Sequence, residues 1–180
     1  MGRASRAASP SWGYDLRQTL AGYFTARARG LLARKFALLT SEGEEFGRLY
    51  LSWPSRAEFT YGSSVAAFEA SGRHYRMVAN GEEVIVAGPK ERSINALVIS
   101  CARQNYEARI TSLRNLALAH HVPGGERTVR LSGGLTGRSY EAIFADDGCA
   151  LPIGLFLLWH VVANRRRVYR TGIPTKGETT

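Results

Sequence analysis

From Leu151 to Ala163 the chain carries no charged residue, and only Gly154 and His160 depart from plainly apolar side chains. A helix that is apolar on every side has to be surrounded on every side. Either protein or lipid can do this, and the choice governs every architecture open to the chain. A helix of this length spans about 20 Å. A hydrocarbon core is about 30 Å thick and takes about 20 apolar residues. The run cannot be lengthened, because Asp146 and Asp147 precede it and Arg165, Arg166 and Arg167 follow it. A helix buried in protein is therefore favoured, and a membrane anchor flanked by positive charge is the alternative. The flanks suit a helix either way. The aspartates lie near the positive end of its dipole and the arginines at the negative end. Pro152 falls in the first turn, where its missing N–H costs little.

What could enclose such a helix is written upstream. From Arg34 to Phe144 the apolar period is two. Short strands are expected at residues 35–40, 47–53, 56–61, 64–70, 74–79, 83–87, 96–102, 106–111, 116–121, 128–131 and 139–144. The residues between them suit hairpins: Ser41-Glu42-Gly43, Asn80-Gly81, Gly88-Pro89, Pro123-Gly124-Gly125, Gly133-Gly134 and Asp146-Asp147-Gly148. Asn80-Gly81 between apolar runs is the strongest of these signals. A sheet of about eleven strands curls or closes. The expected fold is thus mainly β with helices: a closed antiparallel barrel of about 10–12 strands around a central helix near residues 150–167. Before it, residues 15–33 place Leu16, Leu20, Tyr23, Phe24 and Leu31 near one helical face, with Arg27 in its middle, and read as an amphipathic helix. Three segments follow: a basic flexible tail and helix over 1–33, the barrel over 34–170, and a flexible tail over 171–180.

The net charge of +9 is placed unevenly. Residues 1–35 hold seven basic and one acidic side chain, residues 164–180 hold five and one, and the stretch between them is close to neutral. Basic ends attract phosphate, from anionic lipid or from nucleic acid. Arg165, Arg166, Arg167 and Arg170, with Arg27 and Arg29 from the N-terminal helix, are the candidate lipid- or phosphate-binding residues. Solvated tails are the plainer reading of the same charge.

Catalytic and metal signatures are absent from the sequence. There is no Cys-x-x-Cys, no His-Glu-x-x-His, no Gly-x-Ser-x-Gly and no Walker loop. His120 and His121 are adjacent, so on a strand they point to opposite faces. His160 reads as a core histidine that needs a hydrogen-bond partner. Cys101 and Cys149 read as buried thiols in a reducing compartment. No cofactor is expected. The expected location is cytoplasmic, peripheral to a membrane if the basic ends bind lipid.

A many-stranded meander followed by an apolar C-terminal helix resembles the tubby-like barrel superfamily, which includes the LURP-one-related proteins and the phospholipid scramblases. Two segments carry the likeness. Phe36-Ala-Leu-Leu-Thr-Ser-Glu-Gly-Glu-Glu-Phe-Gly-Arg-Leu-Tyr50 looks like the opening hairpin of the LURP-one and scramblase types. Tyr140-Glu-Ala-Ile-Phe-Ala-Asp-Asp-Gly-Cys-Ala-Leu-Pro-Ile-Gly-Leu-Phe156 resembles their last strand leading into the helix. The resemblance spans residues 34–170. It implies a non-catalytic barrel, and for the tubby branch binding of phosphoinositide head groups by basic side chains on the barrel surface. No individual lipid-binding position carries over. The calcium segment of scramblases does not carry over either, because Asp146-Asp147-Gly148 is far shorter than a calcium loop. The expected function is a module that binds anionic phospholipid at a membrane surface. The alternatives are a nucleic-acid-binding barrel, a protein anchored by its C-terminal helix, and an enzyme whose site forms only on folding.

Overall fold

The computed structural model describes residues 12–52, 55–91, 93, 95–111 and 115–171, with the backbone alone at 14 and 166–171. The tails expected at 1–11 and 172–180 lie outside these residues. Twelve antiparallel strands form one closed barrel, with one short helix before them and one long helix after them. Helix α1 is Tyr14–Leu20. The strands are β1 (Tyr23–Arg29), β2 (Lys35–Leu39), β3 (Glu45–Ser52), β4 (Arg56–Tyr61), β5 (Ser64–Ser71) and β6 (His74–Ala79). Next come β7 (Glu82–Pro89), β8 (Ala96–Cys101), β9 (Gln104–Thr111), β10 (Leu116–Val122), β11 (Arg127–Gly133) and β12 (Ser139–Phe144). Helix α2 is Ala150–Thr171. Each strand pairs with its neighbours in sequence, and β1 closes the ring on β12 through pairs such as Ala26 with Tyr140.

Alternation sets the wall. Along β12, Tyr140, Ala142 and Phe144 point inward, while Ser139, Glu141 and Ile143 face out. The outer face carries charge at mid-strand, at Arg48, Glu58, Arg109, Arg130 and Glu141, all exposed. Among the described residues, these charges interrupt the continuous apolar outer band that a membrane barrel presents.

The interior is filled by α2. Every residue from Ala150 to Ala163 is buried, and the helix touches strands on several sides of the ring, including β3, β7, β10, β11 and β12. Protein therefore surrounds the apolar run, and no helix among the described residues is long and apolar enough to cross a membrane. Aromatic side chains pack the space between helix and wall: Trp159 lies over Phe68 at 5.5 Å, and His160 meets Tyr75 edge to face at 4.6 Å. The His160 Nε2 finds Asn164, one turn on, at 2.7 Å. Gly154 faces Phe24 and Val129, where an added Cβ would meet ordinary contact distances of 3.5 and 3.8 Å.

The expected helix over 15–33 is corrected. It ends at Leu20, and residues 23–29 are a strand that completes the barrel. Ala21 and Gly22 both take positive φ, 48° and 82°, which no helix continues through. Beyond them Phe24 and Ala26 point inward while Arg27 and Arg29 point out, a period of two. Arg27 in the middle of the supposed apolar stripe was the mark of the wrong period. Leu31, counted in that stripe, is exposed. The barrel thus begins at residue 23 rather than 34, and α2 continues past 167 to Thr171.

Helix α1 covers one end of the barrel. Trp12, Leu16 and Leu20 join the core, and Trp12 meets Phe59 edge to face at 6.0 Å. Arg17 pairs with Asp146 at 3.2 Å, which ties α1 to the segment leading into α2.

Candidate functional site

An up-and-down barrel sorts its turns by parity: every second turn lies at the same end. Helix α1 and the start of α2 lie at one end, and α2 leaves its burial at the other. The exit end carries the β1–β2, β3–β4, β5–β6, β7–β8, β9–β10 and β11–β12 turns. Among the described residues, these turns bear Arg34, Arg73, Lys90 and Arg138 against Glu91. The turns at the capped end bear Glu42, Glu44, Glu126, Asp146 and Asp147 against Arg103. Strand ends at the exit add Arg29, Lys35 and Arg56, and strand ends at the capped end add Glu45 and Glu82 against Arg127. The near-neutral centre of the sequence is therefore a barrel with opposite charge at its two ends.

The candidate arginines divide on this map. Arg165 lies on α2 where burial ends, and its guanidinium donates to the carbonyl of Leu135, with Gly134 O at 3.5 Å. The backbone of Arg166, Arg167 and Arg170 continues α2 at the exit end, and their side chains are outside the described residues. Arg29 ends β1 near the exit and pairs with Glu45 at 3.7 Å. Arg27 is on the outer wall, in register with Ser139 and Ala37, beside a shallow depression that Glu141 also lines. The expected grouping of the N-terminal arginines on a helix is thus corrected to positions on strand β1. Arg34, Arg73, Lys90 and Arg138 were missed. They lie far from one another in the sequence, and only the parity of the turns brings them together.

The exit-end charges are held in place. Arg138 donates to Gly30 O at 2.9 Å and Leu31 O at 3.2 Å, bracing the β1–β2 turn from the β11–β12 turn. Carbonyl partners fix a guanidinium without cancelling its charge. The buried Asn115 donates to Gly134 O at 2.8 Å from beneath. Gly137, at φ 64°, leaves room for Arg165, whose guanidinium atoms lie 2.7 to 2.8 Å from where a Cβ would stand. Lys90 is paired with Glu107 at 2.7 Å, and that charge is partly offset.

The capped end holds another cluster of chemistry-bearing groups. A cleft of about 410 Å³ there is lined by residues including His121, Arg127, Asp146, Asp147 and Cys149. Two of its three carboxylates are already used, Asp146 by Arg17 and Asp147 inside the cleft. Asp147 accepts from the Tyr106 hydroxyl at 2.9 Å and from the Cys149 backbone N–H at 2.9 Å, which caps the start of α2. Burial, then the bond to Cys149, raises the Tyr106 phenol above its ordinary value. The Cys101 thiol is raised by its hydrogen bond to Cys149 and by burial. Cys149 is the acidic member of the pair, lowered first by the bond from Cys101, against the opposing effect of burial. Its sulfur lies buried, 3.4 Å from Cys101 O. The His121 ring packs edge to face on Tyr106 at 5.2 Å. His120, by contrast, has its Nδ1 3.3 Å from Gly125 O. The groups hold the base of α2 to β8 and β9. Among the described residues, no three His, Cys, Asp or Glu side chains are placed to hold a metal ion.

No protein-family model and no curated protein matches the sequence. In structure the chain is similar to a protein from Arabidopsis thaliana solved by X-ray crystallography, with a TM-score of 0.55. The match covers 82% of this chain and 92% of that one at 9% sequence identity, and it shows a shared fold.

Proposed function

We propose that the protein is a non-catalytic barrel that binds anionic phospholipid at a membrane surface through its exit end. The separation of charge between the two ends of the barrel carries this reading. A one-sided cationic face is drawn to an anionic leaflet at about 1 kcal/mol per basic residue near the surface. The opposite, acidic end orients the molecule away from the same leaflet. Arg34, Arg73 and Arg138 supply the contacts, with Arg165 on α2 where its burial ends. The candidate residues Arg166, Arg167 and Arg170 follow it on the backbone of that helix. The resemblance to the tubby-like superfamily supports the reading, since basic side chains on such barrels bind phosphoinositide head groups. The protein then works as a peripheral module on the cytoplasmic side.

The test is co-sedimentation with vesicles of phosphatidylcholine alone and of phosphatidylcholine mixed with phosphatidylserine. Binding is expected only to the mixed vesicles and is expected to weaken steeply with salt. A triple Arg34→Gln, Arg73→Gln, Arg138→Gln variant should lose it. Equal binding to both vesicle types would overturn the proposal. Tight, salt-steep binding to duplex DNA with no vesicle binding would transfer the same charges to a nucleic-acid function.

A further inference from the structure

The basic end also carries the most exposed apolar side chains of the described chain. Leu31 and Leu32 in the β1–β2 turn are 96% and 72% exposed, and Leu135 in the β11–β12 turn is 93% exposed. The next large apolar side chain, Ile143, is 49% exposed and lies on the outer wall. Scattered surface valines and isoleucines need no explanation, but three leucines standing almost wholly in water at one end of a barrel do.

The three belong together. Strands β1 and β12 are neighbours, so the turns that follow β1 and precede β12 lie side by side. Arg138 joins them by donating to Gly30 O and Leu31 O, and Arg165 holds Leu135 from the helix side through its carbonyl. The bracing falls on backbone oxygens and leaves the leucine side chains facing out. Around them stand the cationic residues Arg34 and Arg138. Apolar tips within a cationic rim match a surface that is anionic outside and hydrocarbon beneath. Nucleic acid complements the rim but offers the leucines only a solvated phosphate backbone.

Resting on the membrane reading above, we infer that Leu31, Leu32 and Leu135 form a wedge that enters the hydrocarbon edge of an anionic bilayer. The barrel then stands end-on to the membrane with α1 farthest from it. Charge brings the protein to the surface and the leucines hold it there, so head groups alone do not account for the affinity.

The experiment compares the full chain with a Leu31→Gln, Leu32→Gln, Leu135→Gln variant, which keeps every charge. Binding is measured to phosphatidylcholine–phosphatidylserine vesicles and, separately, to heparin as a soluble polyanion. A second readout places an environment-sensitive fluorophore on Leu135→Cys, whose label site is exposed while Cys101 and Cys149 are buried. The variant is expected to lose at least about tenfold in vesicle affinity, given the transfer free energy of leucine side chains. It should bind heparin as the parent does, and the label should move to shorter wavelength on adding vesicles. Unchanged vesicle affinity with the label still in water would overturn the wedge while leaving the charged surface intact. A parent protein that is dimeric and becomes monomeric in the variant would also overturn it, by making the leucines a contact between copies. A parent that fails to prefer anionic vesicles would sink the membrane reading itself.

Discussion

The two ends of this barrel are finished by different means. At the capped end, α1 lays Trp12, Leu16 and Leu20 over the core, Asp147 caps α2, and Arg17 reaches across to Asp146. Apolar surface is covered there, and Asp146 and Asp147 are paired. At the exit end the β1–β2 and β11–β12 turns are tied together as well, yet the bonds fall on backbone oxygens and leave Leu31, Leu32 and Leu135 facing outward. Covering apolar area stabilises a fold, and leaving it exposed does not. The capped end is thus where burial concentrates stability, and the exit end is the face on which the proposed membrane contact rests.

This contrast is broken most directly by trimming a leucine at each end. Leu16→Ala removes a fully buried side chain from under α1 and is expected to cost about 2–4 kcal/mol. Leu31→Ala removes an exposed one and should stay within about 0.5 kcal/mol. Urea unfolding of both variants reads the difference. Equal losses would mean that α1 does not close the barrel, or that the exit turn is part of the core.

High pH acts on buried groups of the capped end. The Cys101 and Tyr106 groups are raised above their ordinary values of 9.0 and 10.0 in the folded chain. On unfolding they regain those values, so in alkali the unfolded chain releases protons that the folded one keeps. A group with a raised folded pKa contributes stability below its unfolded value, and that contribution fades as pH rises past it. Cys149, lowered from 9.0, runs the other way, but its contribution stops changing by about pH 10, where both states have lost that proton. Stability should therefore fall as pH rises above about 9. The slope above about 10 should flatten in Tyr106→Phe, which cannot ionise. A parent stability that holds level from neutrality to strong alkali would contradict the packing assigned to these groups.

Much of the fold could be read from residues. The wholly apolar run from Leu151 to Ala163 demanded an enclosure, and the period of two from Arg34 to Phe144 described one. Eleven strands were legible for that reason, most of them to within two residues at each end. Strand β1 was not, because its alanines carry little strand signal and Leu16, Leu20, Tyr23, Phe24 and Leu31 fit a helical stripe by chance. The Ala102-Arg103 turn between β8 and β9 escaped as well. Both residues take positive φ, 48° and 65°, with neither glycine nor asparagine to announce it. The arginine run after the apolar helix was plain in the sequence. The cationic end was not, because Arg34, Arg73, Lys90 and Arg138 share an end only after every strand between them has been counted. The signal that could have found them is charge tallied over alternate turns.

The smallest effect expected concerns how rigidly the exit end is built. Gly137 sits at φ 64° beneath the Arg165 guanidinium, while Gly154 sits in the second turn of α2 with ordinary room for a methyl group. An alanine at 137 takes on left-handed strain of about 1 kcal/mol and stands where the guanidinium now lies. That guanidinium is the end of a flexible side chain, so it moves aside rather than unfolding the turn. The consequence is local: Arg165 lets go of Leu135 O, and the Leu135 turn loses its brace from the helix. An alanine at 154 meets only Phe24 and Val129 at contact distance, and it removes the backbone entropy that glycine brings to a helix. Gly154→Ala should therefore be neutral or gain up to about 1 kcal/mol in urea unfolding. Gly137→Ala should lose about that much, and amide hydrogen exchange should quicken at residues 134–138 while the strands stay protected. If exchange at those residues were unchanged, the turn would owe nothing to Arg165. The exit end would then be held by Arg138 and Asn115 alone.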